Sequence, residues 1–257
     1  MIRILFSDFD ETMYLHVPEG DYIPEGNLSA LKKLRESGCH FVITTGRPQD
    51  VFMQLSKGYH LGNDYMCANG SISVYDDGTR MVRLMDSEKV RTVFETVMEY
   101  IEPVKFCYYT DDGKTYLYQN RERFLKTFEE SEGHISSVTL ITRTPEDLDL
   151  AEKAIKERMG DTVTFSPPEA ILADITEAGV NKGNTIREFC RHYGIDRSQT
   201  AGIGDGRNDL AIFEAVDLKF AMNNGSEILK QAADYCVDSV SEAIEMIMAI
   251  NEREKAL

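Results

Sequence analysis

The sequence predicts an α/β fold: a parallel sheet covered by helices and interrupted midway by an inserted α+β unit. Short apolar runs of strand length alternate with helical periodicity in the first part of the chain and again after Ala178. Between these stretches two Asp-Asp-Gly hairpin signals, at Asp76 and Asp111, break the alternation. The length of 257 residues suits one large or two unequal domains, at about 150 residues each. Such a chain buries a core without disulfide staples.

Residues 2–7 form an apolar run that leads into Asp8-Phe9-Asp10. Leu28, Leu31 and Leu34 recur at helical spacing, and Gly38 supplies the stop. Residues 40–45 read as a second buried strand, and Pro48 sits where a helix begins. Residues 64–69 read as a third strand, ending in Asn69-Gly70. A hairpin at 71–84 follows. The insert then offers a helix at 87–101, a hairpin at 104–119, a helix at 121–132 and a strand at 135–142. Its helix at 145–159 has Thr144 as N-cap and Pro145 at the first position. Residues 162–165 and 170–175 read as further strands. Helices at 181–193, 208–215 and 226–233 then alternate with strands at 200–204, 218–222 and 235–237. A capping box, Ser239-x-x-Glu242, starts the last helix, whose Val240, Ala243, Ile244, Ile247 and Ile250 form one apolar stripe.

Composition narrows the function. Lys plus Arg number 28 against 44 Asp plus Glu, a net charge of −16. A nucleic-acid or anionic-membrane binder needs a basic footprint, which this chain lacks. No apolar run approaches the ~20 residues of a membrane span. The N-terminus has no signal-peptide pattern, and the five cysteines are odd in number with no CxxC. Together these point to a cytoplasmic protein with reduced thiols. A phosphorylated ligand would require a local cationic site built against the chain's own field.

Three predicted parallel strands end in polar clusters: Ser7-Asp8-Phe9-Asp10-Glu11-Thr12, Thr44-Thr45-Gly46-Arg47, and Gly204-Asp205-Gly206-Arg207-Asn208-Asp209. In open α/β sheets ligands bind beyond the carboxyl ends of the strands, so neighbouring strands would converge these segments on one site. Crowded carboxylates there repel, and a hard divalent cation relieves them. Oxygen ligands without His or Cys suit Mg²⁺. Single residues keep plainer readings: Thr45 and Asn208 also suit helix N-caps, and Arg47 a surface ion pair. Lys182, near a predicted helix start, is poorly placed against the helix dipole, which argues for a specific partner. The Gly202-x-Gly204-x-Gly206 run is not a dinucleotide fingerprint, and Asn181-Lys182-Gly183 is not a P-loop.

Four motifs in order resemble the haloacid dehalogenase-like superfamily, and their spacing resembles its Cof-like, class IIB phosphatases. Asp8-Phe9-Asp10-Glu11-Thr12 is similar to the DxDxT motif, Thr45-Gly46-Arg47 to the second, Lys182 to the third, and Gly204-Asp205-Gly206-Arg207-Asn208-Asp209 to GDxxND. Glu11 stands where the family commonly has glycine. The resemblance implies a Rossmann-like parallel-sheet core at residues 1–81 and 178–257, with an inserted α+β cap domain at 82–177. It implies a Mg²⁺-dependent phosphatase for small phosphorylated metabolites, sugar phosphates first among them. Alternatives are a phosphotransferase or mutase sharing the covalent step, or a non-catalytic ligand-binding protein. Asp8 would be the nucleophile and Asp10 the general acid–base. Thr45, Gly46, Lys182, Asn208 and the Phe9 amide would bind the phosphoryl group, with Arg47 a substrate contact. Asp8, the main-chain carbonyl of Asp10, and Asp205 would hold the metal. Asp209 would stand on the metal side and orient Lys182 or a metal-bound water. The chain would act as a monomer or homodimer on a small-molecule phosphorylated substrate.

Overall fold

The structure, a computed structural model, describes residues 1–256. The chain opens with β1 (Ile4–Asp8), α1 (Glu25–Glu36), β2 (His40–Thr44), α2 (Gln49–Leu55) and β3 (Tyr65–Cys67). The short strands β4 (Ile72–Val74) and β5 (Arg80–Val82) follow. Then come α3 (Ser87–Tyr100), β6 (Lys105–Thr110), β7 (Thr115–Leu117), α4 (Arg121–Glu130), β8 (Ile135–Ile141), α5 (Pro145–Met159), β9 (Val163–Glu169) and β10 (Leu172–Glu177). The chain closes with α6 (Lys182–Tyr193), β11 (Thr200–Gly204), α7 (Leu210–Ala215), β12 (Leu218–Met222), α8 (Glu227–Ala232), β13 (Tyr235–Val237) and α9 (Val240–Lys255).

The first sheet has the order β13-β12-β11-β1-β2-β3-β4-β5. It is parallel from β13 to β3, and the β4–β5 hairpin adds an antiparallel edge. Its strands read as unbroken apolar runs because both faces are covered. Leu5, Ile43 and Ile203 pack beneath α1 and α9 on one face. Ile4, Phe6 and Val42 pack against α6 and α7 on the other.

The second sheet is antiparallel, with the order β7-β6-β8-β10-β9. Phe106, Tyr108, Val138, Leu140, Ala173 and Ile175 bury one face against α3, α4 and α5. Period-two alternation therefore turns Cys107, Tyr109, Ser137, Thr139 and Asp174 to the other face. That polar face meets the first sheet beside β3. Ser71 Oγ donates to the Ser136 carbonyl at 2.7 Å and Asn69 Nδ2 to Asp174 Oδ2 at 2.9 Å.

Two expectations shift. The strand expected through Asn69 stops at Cys67, because Ala68 (φ 49°) and Asn69 (φ 53°) turn into the left-handed region. The strand expected at 162–165 is longer, that expected at 170–175 lies two residues further on, and the two form a hairpin across Ala170-Ile171. Pro167 and Pro168 lie inside β9, tolerated because β9 is an edge strand whose missing N–H groups break no interior ladder.

Candidate active site

The parallel register sets β2, β1 and β11 side by side, pairing Asp8 with Thr44 and Ser7 with Ile203. All three motif segments consequently leave the sheet at one edge. Lys182 arrives from a fourth direction as the first residue of α6, whose N-cap Asn181 accepts from the Asn184 N–H at 2.8 Å.

Lys182 is the centre of the cluster. It is 2% exposed, and its ammonium donates to Asp8 Oδ1 and, at 2.6 Å, to Asp209 Oδ1. This answers the dipole mismatch: two carboxylates hold the cation at a helix start. Asp209, fully buried, is committed on both oxygens, since Oδ2 accepts from the backbone N–H groups of Asp205 and Gly206 at 3.0 Å each. It thus ties Lys182 to the β11 loop. Thr12 Oγ1 donates to Asp205 Oδ1 at 3.0 Å, anchoring Asp205 from the β1 side. The sequence alone assigns Thr12 no role beyond its place in the DxDxT-like run.

Asp10 lies on the opposite flank. Arg47 grips its carboxylate with Nε (2.9 Å to each oxygen) and Nη2 (2.6 Å), and His16 Nε2 approaches Oδ1 at 2.9 Å. His16 Nδ1 in turn meets Asp21 at 3.0 Å. His16 and Asp21 were invisible as site residues, because only the closure of the 11–23 loop brings them to Asp10.

Thr45 is 1% exposed, and its hydroxyl oxygen accepts from the Arg47 N–H at 3.1 Å. It caps that turn and not α2, whose N-cap is Pro48. Asn208 sits within the turn Arg207–Asp209 and is no helix N-cap either. The Phe9 ring is core, stacked on Tyr14 at 5.0 Å and edge-on to Phe52 at 5.1 Å, so only its backbone is placed for a ligand. Glu11 adopts φ 54°, the conformation that explains a glycine preference at this turn.

The electrostatics split the carboxylates. Burial, then the nearby Asp209, pushes Asp8 well above the usual carboxylate range, with Lys182 opposing. Burial and Asp209 push Asp205 up to about 6. Asp10 moves the other way: burial would raise it, but the Arg47 hydrogen bonds and charge hold it low. Lys182 stays above its ordinary value because Asp209 and Asp8 outweigh its burial.

One carboxylate oxygen each from Asp8, Asp205 and Asp209 lie within 4.8 Å of one another. That all-oxygen donor set, with two members raised by burial and by the charge of Asp209, fits a hard divalent cation. Because Asp209 is spoken for by Lys182 and two amides, Asp8 and Asp205 are the carboxylates with oxygens to spare. The Asp10 carboxylate is not in this group. Among the described residues no helix is long and apolar enough to cross a membrane, and all five cysteines are free thiols.

Comparison with known proteins agrees with this geometry. A Streptococcus pyogenes serotype M6 protein, provisionally named a phosphatase, is 27% identical over 94% of this chain and 95% of its own length. The 5-amino-6-(5-phospho-D-ribitylamino)uracil phosphatase YcsE of Bacillus subtilis is 23% identical over 93% of this chain and 90% of its own. The solved structure of a haloalkanoate-superfamily phosphatase from Bacteroides thetaiotaomicron superposes with a TM-score of 0.80 at 21% identity, covering 98% of this chain and 96% of that one. At that identity the likeness speaks for the fold. Residues 5–246 match the family described as haloacid dehalogenase-like hydrolase, and the chain therefore belongs to the haloacid dehalogenase-like hydrolases, in their Cof-like branch.

Proposed function

We propose that the protein is a Mg²⁺-dependent phosphoric monoester hydrolase for small phosphorylated metabolites, sugar phosphates first among them, working through an aspartyl-phosphate. The observation that carries this reading is the buried Asp8–Lys182–Asp209 chain placed beside Thr45 and Asp205 at one sheet edge. A carboxylate nucleophile, a fixed cation and a hydroxyl donor are what phosphoryl transfer asks of a protein.

Asp8 Oδ attacks phosphorus, forming an O–P bond as the bond to the leaving alcohol oxygen breaks. Asp10 gives that oxygen a proton, then takes one from the water that hydrolyses the acyl phosphate and frees inorganic phosphate. Lys182 and the Thr45 hydroxyl stabilise the charge gathering on the equatorial oxygens, with the Gly46 and Phe9 amides and Asn208 as further donors. Asp8, Asp205 and the Asp10 carbonyl would hold the magnesium ion. When bound, the ion supplies charge neutralisation between a carboxylate and a phosphate dianion. The residues at 82–177 would act as a cap that keeps bulk water from the acyl phosphate. The free thiols support a reducing, cytoplasmic setting.

Asp8→Asn keeps the shape and removes the nucleophile. Hydrolysis of p-nitrophenyl phosphate should fall by at least about a thousandfold, since a whole covalent step is lost. Activity within tenfold of wild type (about 1.4 kcal/mol) would remove Asp8 from that role.

A further inference from the structure

The polar face of the second sheet brings one acid to the phosphoryl loop. Asp174, on β10, is 8% exposed. Its Oδ1 accepts from Thr139 Oγ1 at 2.7 Å and its Oδ2 from Asn69 Nδ2 at 2.9 Å. Asn69 is itself fixed to the same loop, because its backbone N–H donates to the Thr45 carbonyl at 3.0 Å.

Three features say that this pair awaits a ligand. Asn69 is 1% exposed, yet its Oδ1 is buried with no hydrogen-bond partner. A buried acceptor without a donor is costly and rare unless something supplies one. Asn69 and its neighbour Ala68 both hold positive φ, strain of the kind kept where a side chain must be aimed. Finally, a Cβ on Gly46 would stand 2.8 Å from Asp174 Oδ2, 3.3 Å from Asn69 Nδ2 and 3.5 Å from Asn69 Oδ1. Gly46 is not in the left-handed region, so it lacks a side chain because the pair abuts it. The acceptors therefore lie against a phosphoryl-binding amide.

The one buried side-chain atom of the pair with no partner is an acceptor, Asn69 Oδ1. Its complement is a donor carried by the leaving group close to the ester oxygen. We propose that Asn69 and Asp174 form the leaving-group subsite, selecting phosphoesters whose alcohol bears a hydroxyl or ammonium next to the phosphoryl group. This inference rests on the phosphomonoesterase reading. It also makes the second sheet part of recognition, since its acid completes the subsite only when that sheet is docked on the β3 loop.

The test uses the full-length enzyme with Mg²⁺ and matched esters: ethyl phosphate, 2-hydroxyethyl phosphate and 2-aminoethyl phosphate. Wild type should prefer one or both donor-bearing esters in kcat/KM by about tenfold or more, as sites built to hydrogen-bond a substrate group do. The hydroxyl and ammonium arms tell polyol from amino-alcohol phosphates. Asp174→Asn, which replaces an acceptor with a donor, and Asn69→Gly, which suits the left-handed backbone, should each bring the preference to within about threefold of unity. A wild-type preference near one overturns the subsite and leaves the hydrolase standing. So do variants that lose all esters in equal proportion, which would make the pair mere adhesion between the sheets. No hydrolysis of any ester, nor of p-nitrophenyl phosphate, overturns both.

Discussion

Replacing Lys182 with methionine keeps most of its bulk and deletes its charge. The wild-type cluster sets one ammonium against Asp8, Asp209 and Asp205, so the variant leaves three carboxylates facing one another. Lys182 is 2% exposed and Asp209 is fully buried, so solvent does little to soften the loss. Removing one partner of a buried ion pair costs about 3–5 kcal/mol. At roughly 2–4 °C per kcal/mol for a chain of this size, the metal-free melting temperature should fall by about 6–20 °C. The pH dependence has a definite sign. The pKa of Lys182 is held above its ordinary value, so its own contribution is lost only at strongly alkaline pH. The carboxylates respond at lower pH: Asp8 is already raised by burial and Asp209, and loss of the ammonium raises it further. A carboxyl whose folded pKa exceeds its unfolded one gains stability as pH falls. The deficit should therefore be larger near about pH 8 than near about pH 5.5, and excess Mg²⁺ should recover part of it. Thermal unfolding by circular dichroism, with chelator and with Mg²⁺, reads all three. A shift under about 2 °C at both pH values, or a larger deficit in acid, would refute the reasoning.

Two further outcomes follow from the same site. Asp205, pushed up to about 6 by burial and Asp209, must lose its proton to hold a cation. Mg²⁺ affinity by calorimetry should thus weaken about tenfold per pH unit below that value; constant affinity down to about pH 5 would contradict this. Glu11→Gly relieves a left-handed φ of 54°, worth about 1 kcal/mol, while freeing the unfolded chain by a similar amount. Stability by urea unfolding should change by less than about 1 kcal/mol, and a larger loss would mean that the Glu11 side chain makes contacts that matter.

The alternation of strands and helices was legible because each parallel strand is buried on both faces and each helix carries one apolar stripe. The Asp8, Thr45 and Asp205 segments were legible for a second reason: phosphoryl chemistry concentrates polar groups in short runs at strand ends, and runs survive in one dimension. Asp10's restraint by His16 and Asp21 was not, because those residues meet only through loop closure. Asp174 was hidden differently. Within Ile171–Ile175 it reads as one polar residue in a buried strand, and its alternation with Ala173 and Ile175 tells its face but not what that face meets. Docking of one sheet on another leaves no local signature. The departure at Asn69 has the same origin, since its backbone turns to serve Thr45 and Asp174 and not β3.

The two carboxylates proposed as nucleophile and acid–base drift in directions opposite to what those first steps would require, Asp8 being raised and Asp10 lowered. Opposed drifts ordinarily assign acid and base, and here they describe the enzyme before its ligands arrive. Asp8 needs a cation to become a nucleophile. Asp10, held low by the Arg47 fork, is in the form that takes a proton from water, while leaving-group departure needs the form that gives one. Alkyl esters need that proton, whereas p-nitrophenolate leaves without it. For an alkyl phosphate, kcat should fall as pH rises through the Asp10 pKa. Arg47→Leu removes the group that lowers that pKa, so the falling limb should move toward alkaline pH by about one unit, with no matching shift for p-nitrophenyl phosphate. Burial alone would raise Asp10, so a limb that stays put or moves toward acid in the variant would mean that Asp10 is not the proton donor, and that the Arg47 pair serves only to hold the loop.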